Sequence, residues 1–179
     1  KPEYIVIHHS ATADGQTVDW NAITNYHKNT LGYLDVGYHY GIERVNERWA
    51  IITGRAEDQA GAHTKQEGMN FKSIGICVIG NFDKRAPDKE ALFLLEMLCA
   101  DLCRRYQIPV SNIVPHSKYA AKTCPGKLFP MDKLRKSVEF RIKGDFMGNN
   151  IVHASQVERG GESNTRRDEG IKALLSKVA

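Results

Sequence analysis

The stretch PHSKYAAKTCPG, from Pro115 to Gly126, sets His116 eight residues before Cys124 and places Lys122 two residues before the same cysteine. A structural thiol sits most naturally inside an apolar run, where it behaves as a small hydrophobe. Cys124 instead stands between a lysine and a Pro-Gly turn, a setting that presents a thiolate to a metal or to a substrate carbonyl. A second source of imidazole is the pair His8 and His9, at the end of the apolar run YIVIHHS. Two imidazoles and one thiolate form a donor set that zinc favours, and three protein donors leave a fourth position for water, as in catalytic sites. Adjacent strand residues face opposite sides of a sheet, so only one of His8 and His9 can join His116 and Cys124.

These residues need elements to hold them. YIVIHHS (4–10) reads as a central strand. Asp19 is placed to cap a helix running to about Thr30, with Trp20, Ile23 and His27 on one face. VGYHYGIERV (36–45) and WAIIT (49–53) read as strands joined through NER as a hairpin. From Gly54 to Lys72 the chain is polar and glycine-bearing, a long loop of the kind that carries function. SIGICVIG (73–80) is apolar nearly throughout and reads as a strand covered on both faces, with Cys77 buried in it.

A long helix is predicted from about Asp88 to Tyr106, with Leu92, Leu95, Leu98, Cys99 and Leu102 at helical spacing, ending before Pro109. NIVPH is a short strand, and a last helix is expected from about Met131 to Arg141. The order β-α-β-β-β-α-β-α indicates an α/β fold, a central mixed β-sheet flanked by helices. After residue 142 the composition turns polar and glycine-rich, so residues 1–142 are read as the catalytic domain and 143–179 as a linker and tail, with IKALLSKVA as a short amphipathic helix or part of an accessory region.

A chain of 179 residues with 41% hydrophobic and 26% charged residues has the balance of an ordinary globular domain able to bury a core. No apolar run reaches the ~18 residues of a membrane span, and no stretch reads as a signal peptide. The net charge of +4 is mildly basic without a dense Lys/Arg stripe, so no nucleic-acid partner is expected. Four cysteines in a chain this size are expected as reduced thiols, consistent with synthesis in a cytoplasm. A monomer is the default.

IVIHHSAT, LDVGYHYGIER, GRAEDQAGAHT, GMNFKSIGICVIGNFD and VPHSKYAAKTCPG occur in an order and spacing that resemble the zinc-dependent N-acetylmuramoyl-L-alanine amidases. More narrowly, the chain is similar to the type-2 amidase and peptidoglycan recognition protein superfamily, and within it to T7-lysozyme-like phage endolysins. The similarity spans roughly residues 3–140. It implies Zn2+ bound by His8, His116 and Cys124, because the family's ligand is the first histidine of its H-x-S/T stretch. It also implies catalytic roles for Tyr38 and Lys122, whose bland readings are a strand aromatic and a solvated surface lysine.

His63 and Asn70 match cleft-wall sequence in relatives and are candidate substrate contacts. Arg55 is a candidate for holding a stem-peptide carboxylate, with Glu57 and Asp58 as competing local partners. The reaction implied is hydrolysis of the amide between N-acetylmuramic acid and L-alanine in peptidoglycan, by an endolysin or autolysin that reaches the wall after release or export from a bacterial cytoplasm. The alternative is a non-catalytic peptidoglycan-binding module of the same fold, whose usual departure is a lost cysteine ligand. Cys124 is present.

Overall fold

The computed structural model of the protein describes residues 1–12 and 19–144. Its strands are β1 (Tyr4–His9), β2 (Tyr40–Val45), β3 (Arg48–Thr53), β4 (Ser73–Val78) and β5 (Ile113–Pro115). Its α-helices are α1 (Trp20–Asn25), α2 (Met69–Lys72), α3 (Lys89–Tyr106) and α4 (Met131–Gly144). The strands form one sheet in the order β3-β2-β4-β1-β5. Only β2 and β3 pair antiparallel; β2–β4, β4–β1 and β1–β5 are parallel, so the sheet is mixed, as expected.

Strand alternation sorts side chains between two faces. Ile5 and Ile7 of β1, Ile74, Ile76 and Val78 of β4, and Ile42 of β2 pack against Leu95, Leu98, Cys99 and Leu102 of α3 and Leu134 and Val138 of α4. This is the main core. Truncating one of its fully buried leucines, such as Leu95, is expected to destabilise by about 2–5 kcal/mol. The opposite face carries Val6 with Met69 and Val114, and Cys77 and Ile79 with Trp20, Ile23 and Val36. His8, next in alternation after Val6, belongs to this second face.

Local chemistry accounts for the element ends. The Asp19 carboxylate accepts from the Ala22 N–H at 2.7 Å and caps α1, while the buried Glu43 carboxylate of β2 accepts from the Trp20 N–H. After Asn25 the helix continues as a π-turn over Tyr26–Thr30. The β2–β3 turn is made by Asn46 and Glu47, both at positive φ (47° and 65°), the geometry that matches strand twist in a two-residue hairpin. α3 ends at Gln107, which takes the left-handed conformation (φ 58°) two residues before Pro109.

Three expectations change. β2 begins at Tyr40 and not at residue 36: residues 36–39 bend so that His39 N–H bonds the Gly75 carbonyl while the Tyr38 and His39 carbonyls accept from Arg55 and Gly54. The 54–72 segment is not all loop, for it closes with a 3₁₀ turn (Gln66–Gly68) and α2. α4 runs two residues past 142, to Gly144, and the rest of the expected linker and tail lies outside the described residues.

Candidate metal centre

β1 and β5 lie side by side and parallel, with Ile7 opposite Pro115. One step further along each chain stands a histidine, and the rings of His8 and His116 face each other with centroids 4.5 Å apart. Both occupy the carboxyl ends of parallel strands, where an open α/β sheet forms its binding crevice. Cys124 arrives from the loop after the His116–Lys118 turn, and its Sγ is 3.8 Å from His8 Nδ1. One donor atom from each of the three lies within 4.8 Å of the other two, the only such grouping among the described residues. His9 turns to the other face, where its Nδ1 accepts from the Phe82 N–H at 3.2 Å. Its backbone N–H still serves the site by donating to Cys124 Sγ at 3.4 Å.

The cysteine loop is fastened from outside. Asp83, in the turn after β4, accepts from Thr123 Oγ1 at 2.6 Å and from the Lys127 N–H at 2.9 Å, bracketing Cys124. The Leu128 N–H donates to the Phe82 carbonyl at 2.8 Å. Gly126 has φ +113°, and a Cβ there would stand 2.4 Å from the Phe82 carbonyl carbon, so only glycine fits this contact. The Cys124–Pro125 peptide is cis. The clamp by Asp83 was not singled out in the sequence; its signal was the NFD turn directly after a buried strand.

Burial pushes the His8 imidazole well below its ordinary pKa, and the neighbouring His63, His116, His9 and Lys122 push it the same way. His116 is lowered by burial and by the Lys122 charge. Burial raises the Cys124 thiol to about 11, against the opposing pull of the His9 N–H and Lys122. Two imidazoles therefore keep lone pairs at neutral pH beside a thiol whose proton a metal must displace. That donor set, buried and without a carboxylate, fits zinc.

Tyr38 lies over this centre, its ring centroid 5.1 Å from that of His8. Burial, with the adjacent Cys77 thiol to which it hydrogen-bonds, raises its phenol well above the ordinary value. His27 packs against it at 5.5 Å and accepts from the Gly37 N–H at 2.9 Å, holding the bend that presents Tyr38. Lys122 is exposed, and its charge reaches His8, His116 and Cys124.

The three expected substrate contacts have other engagements. His63 Nδ1 lies 3.0 Å from His8 Nε2 and 3.1 Å from Thr64 Oγ1, and its Nε2 is buried, so neither ring nitrogen opens to the cleft. Burial is the main cause that lowers its pKa to about 3. Asn70 Oδ1 accepts from the backbone N–H groups of His63 and Thr64 at 2.8 and 2.7 Å. Arg55 binds the carbonyls of Val36, Ala60 and Asp35, holding the Tyr38 bend to the following loop. Its supposed partner Glu57 pairs instead with Arg105 of α3, at 2.6 Å.

A His-His-Cys cluster at the strand ends of a mixed α/β sheet is a donor set that could hold a metal ion. The chain belongs to the N-acetylmuramoyl-L-alanine amidase family, whose model matches residues 1–127. The endolysin of Escherichia phage T7 is 34% identical over 126 residues, covering 68% of this chain and 78% of the phage protein. Peptidoglycan-recognition protein SC1a of Drosophila melanogaster is 30% identical over 129 residues, covering 69% of this chain and 67% of the fly protein. In fold, the chain is similar to the amidase LysC from Clostridium intestinale, with TM-score 0.67 and 27% identity over 77% of this chain and 85% of LysC. Members of the family are generally zinc-dependent. Among the described residues no helix is long and apolar enough to cross a membrane.

Proposed function

We propose that the protein hydrolyses the amide between the lactyl group of N-acetylmuramic acid and L-alanine in peptidoglycan, with zinc held by His8, His116 and Cys124. The observation that carries this reading is the convergence of those three donors, Cys124 included, at the crevice end of the sheet. A binding-only relative would not need a buried thiol held between two imidazoles.

Zinc bound there supplies Lewis acidity, which polarises an amide carbonyl and lowers the pKa of water toward ~7. The remaining work falls to side chains. Tyr38, kept a neutral phenol by burial, acts as a hydrogen-bond donor at the scissile carbonyl. Lys122 carries its ammonium on the loop that ends in Cys124 and stabilises negative charge developing on the carbonyl oxygen. A donor of this type is worth roughly 10²–10³ in rate. His27 and Arg55 keep Tyr38 in place by fixing the 36–39 bend. The charge of Lys122 also opposes protonation of His8 and His116, so both imidazoles stay available as donors.

Such an enzyme acts on the bacterial cell wall, as the phage endolysins of the family do. Digestion of purified peptidoglycan followed by mass analysis tests the reaction. Free stem peptides beginning with alanine are expected; new reducing sugar ends, or intact muropeptides that are bound and uncut, would contradict it.

A further inference from the structure

We propose that His63 is a positioning residue for His8: it accepts a hydrogen bond from His8 Nε2 and so fixes the His8 ring with an unprotonated Nδ1 facing His116 and Cys124. The inference rests on the zinc reading above and concerns a neighbour outside the donor set. His63 Nδ1 and His8 Nε2 are 3.0 Å apart, so one carries the proton and the other the lone pair. The zinc reading decides between them. His8 Nδ1 is the ring nitrogen that faces Cys124 Sγ and must keep its lone pair to hold a cation, so the proton of the neutral His8 ring sits on Nε2. His63 Nδ1 is then the acceptor, and the proton of the neutral His63 ring sits on its buried Nε2. His8 Nδ1 keeps its lone pair, 3.8 Å from Cys124 Sγ. The opposite tautomers would put a proton between His8 Nδ1 and the thiol, where a cation has to sit.

Three constraints hold His63 for this task. Asn70 Oδ1 ties down the backbone of residues 63 and 64. Thr64 Oγ1 lies 3.1 Å from His63 Nδ1 and 3.5 Å from His8 Nε2, spanning the pair. The ring itself rests on two glycines: a Cβ at Gly75 would come within 2.5 Å of it and one at Gly61 within 2.4 Å. A ligating imidazole gains orientation and basicity by donating its other N–H to a fixed acceptor, and loss of that acceptor typically weakens metal binding about 10–100-fold.

The test is zinc affinity, measured on the full chain by competition with a chromogenic chelator, for the wild type, His63→Ala and His63→Asn. Asparagine returns a carboxamide oxygen to the neighbourhood of Nδ1. His63→Ala is expected to bind zinc about 10–100-fold more weakly, with His63→Asn recovering most of that loss. Nitrogen-edited NMR of the zinc-loaded wild type should show the His8 proton on Nε2, and this readout decides the matter if His63→Ala fails to fold. Wild-type affinity in His63→Ala, an Asn variant as weak as the Ala variant, or a His8 proton on Nδ1 would each overturn the assignment. A wild type that binds no zinc would overturn the metal reading itself, and this inference with it.

Discussion

The imidazole of His63 occupies the space above Gly75 in which any other residue would carry its Cβ: an ideal Cβ there falls 2.5 Å from the ring's Cγ and Cδ2. A fully buried strand has little use for glycine as a strand former, since it adds entropy loss and no packing. At position 75 its value is the missing side chain, which lets a loop histidine lie flat on the sheet and reach His8. Gly75→Ala is therefore expected to displace His63 and to destabilise the fold by about 1–3 kcal/mol through overpacking. Urea unfolding together with zinc titration checks this; unchanged stability and unchanged zinc affinity would show that the ring has room to spare.

Lys122→Ala separates charge from coordination. Lys122 supplies no donor to the metal cluster, so the variant should retain zinc while kcat falls by roughly 10²–10³. Steady-state hydrolysis of a soluble muropeptide, with metal content measured on the same sample, is the check. Full turnover would remove Lys122 from the mechanism.

Glu57 sets an acid limit on stability. Burial alone would raise its pKa, but hydrogen bonds from Arg105, Tyr106 and Tyr40 overcome that and bring it down to about 2. Because the folded value lies below the unfolded one, its contribution is present above pH ~4.5 and is lost as pH falls toward 2. Its carboxylate is only 17% exposed, so Glu57→Gln should destabilise by roughly 1–3 kcal/mol at pH 7. The gap between variant and wild type should close as pH approaches 2. Denaturant unfolding at neutral and acid pH measures it, and a pH-independent gap would show that Glu57 acts through shape alone.

The candidate site residues are the most legible part of this chain, because their types are rare and their surroundings odd. Cys124 beside Pro-Gly stands out, and the pleat requires His8 and His9 to face apart, as they do; the choice of His8 over His9 rests on the family resemblance and not on the residues alone. The main helix was equally plain from its leucine spacing. What stayed hidden was tertiary. Arg55 has Glu57 and Asp58 as near neighbours in sequence, yet its guanidinium binds backbone carbonyls and Glu57 is taken by Arg105, 48 residues away. His63 is a candidate substrate contact because its segment matches cleft-wall sequence in relatives; only the fold brings Gly75 beneath it. The alternation of VGYHYGIERV suggested strand from residue 36, whereas the Arg55 and His27 contacts bend its first four residues out of the ladder.

The three-donor metal centre is tested most directly by the absorption spectrum of cobalt-substituted protein. One cobalt per chain is expected, with the intense visible bands of a tetrahedral ion and a thiolate charge-transfer band that disappears in Cys124→Ser. A weak spectrum of the six-coordinate kind, or a charge-transfer band untouched by Cys124→Ser, would show that His8, His116 and Cys124 do not share a metal.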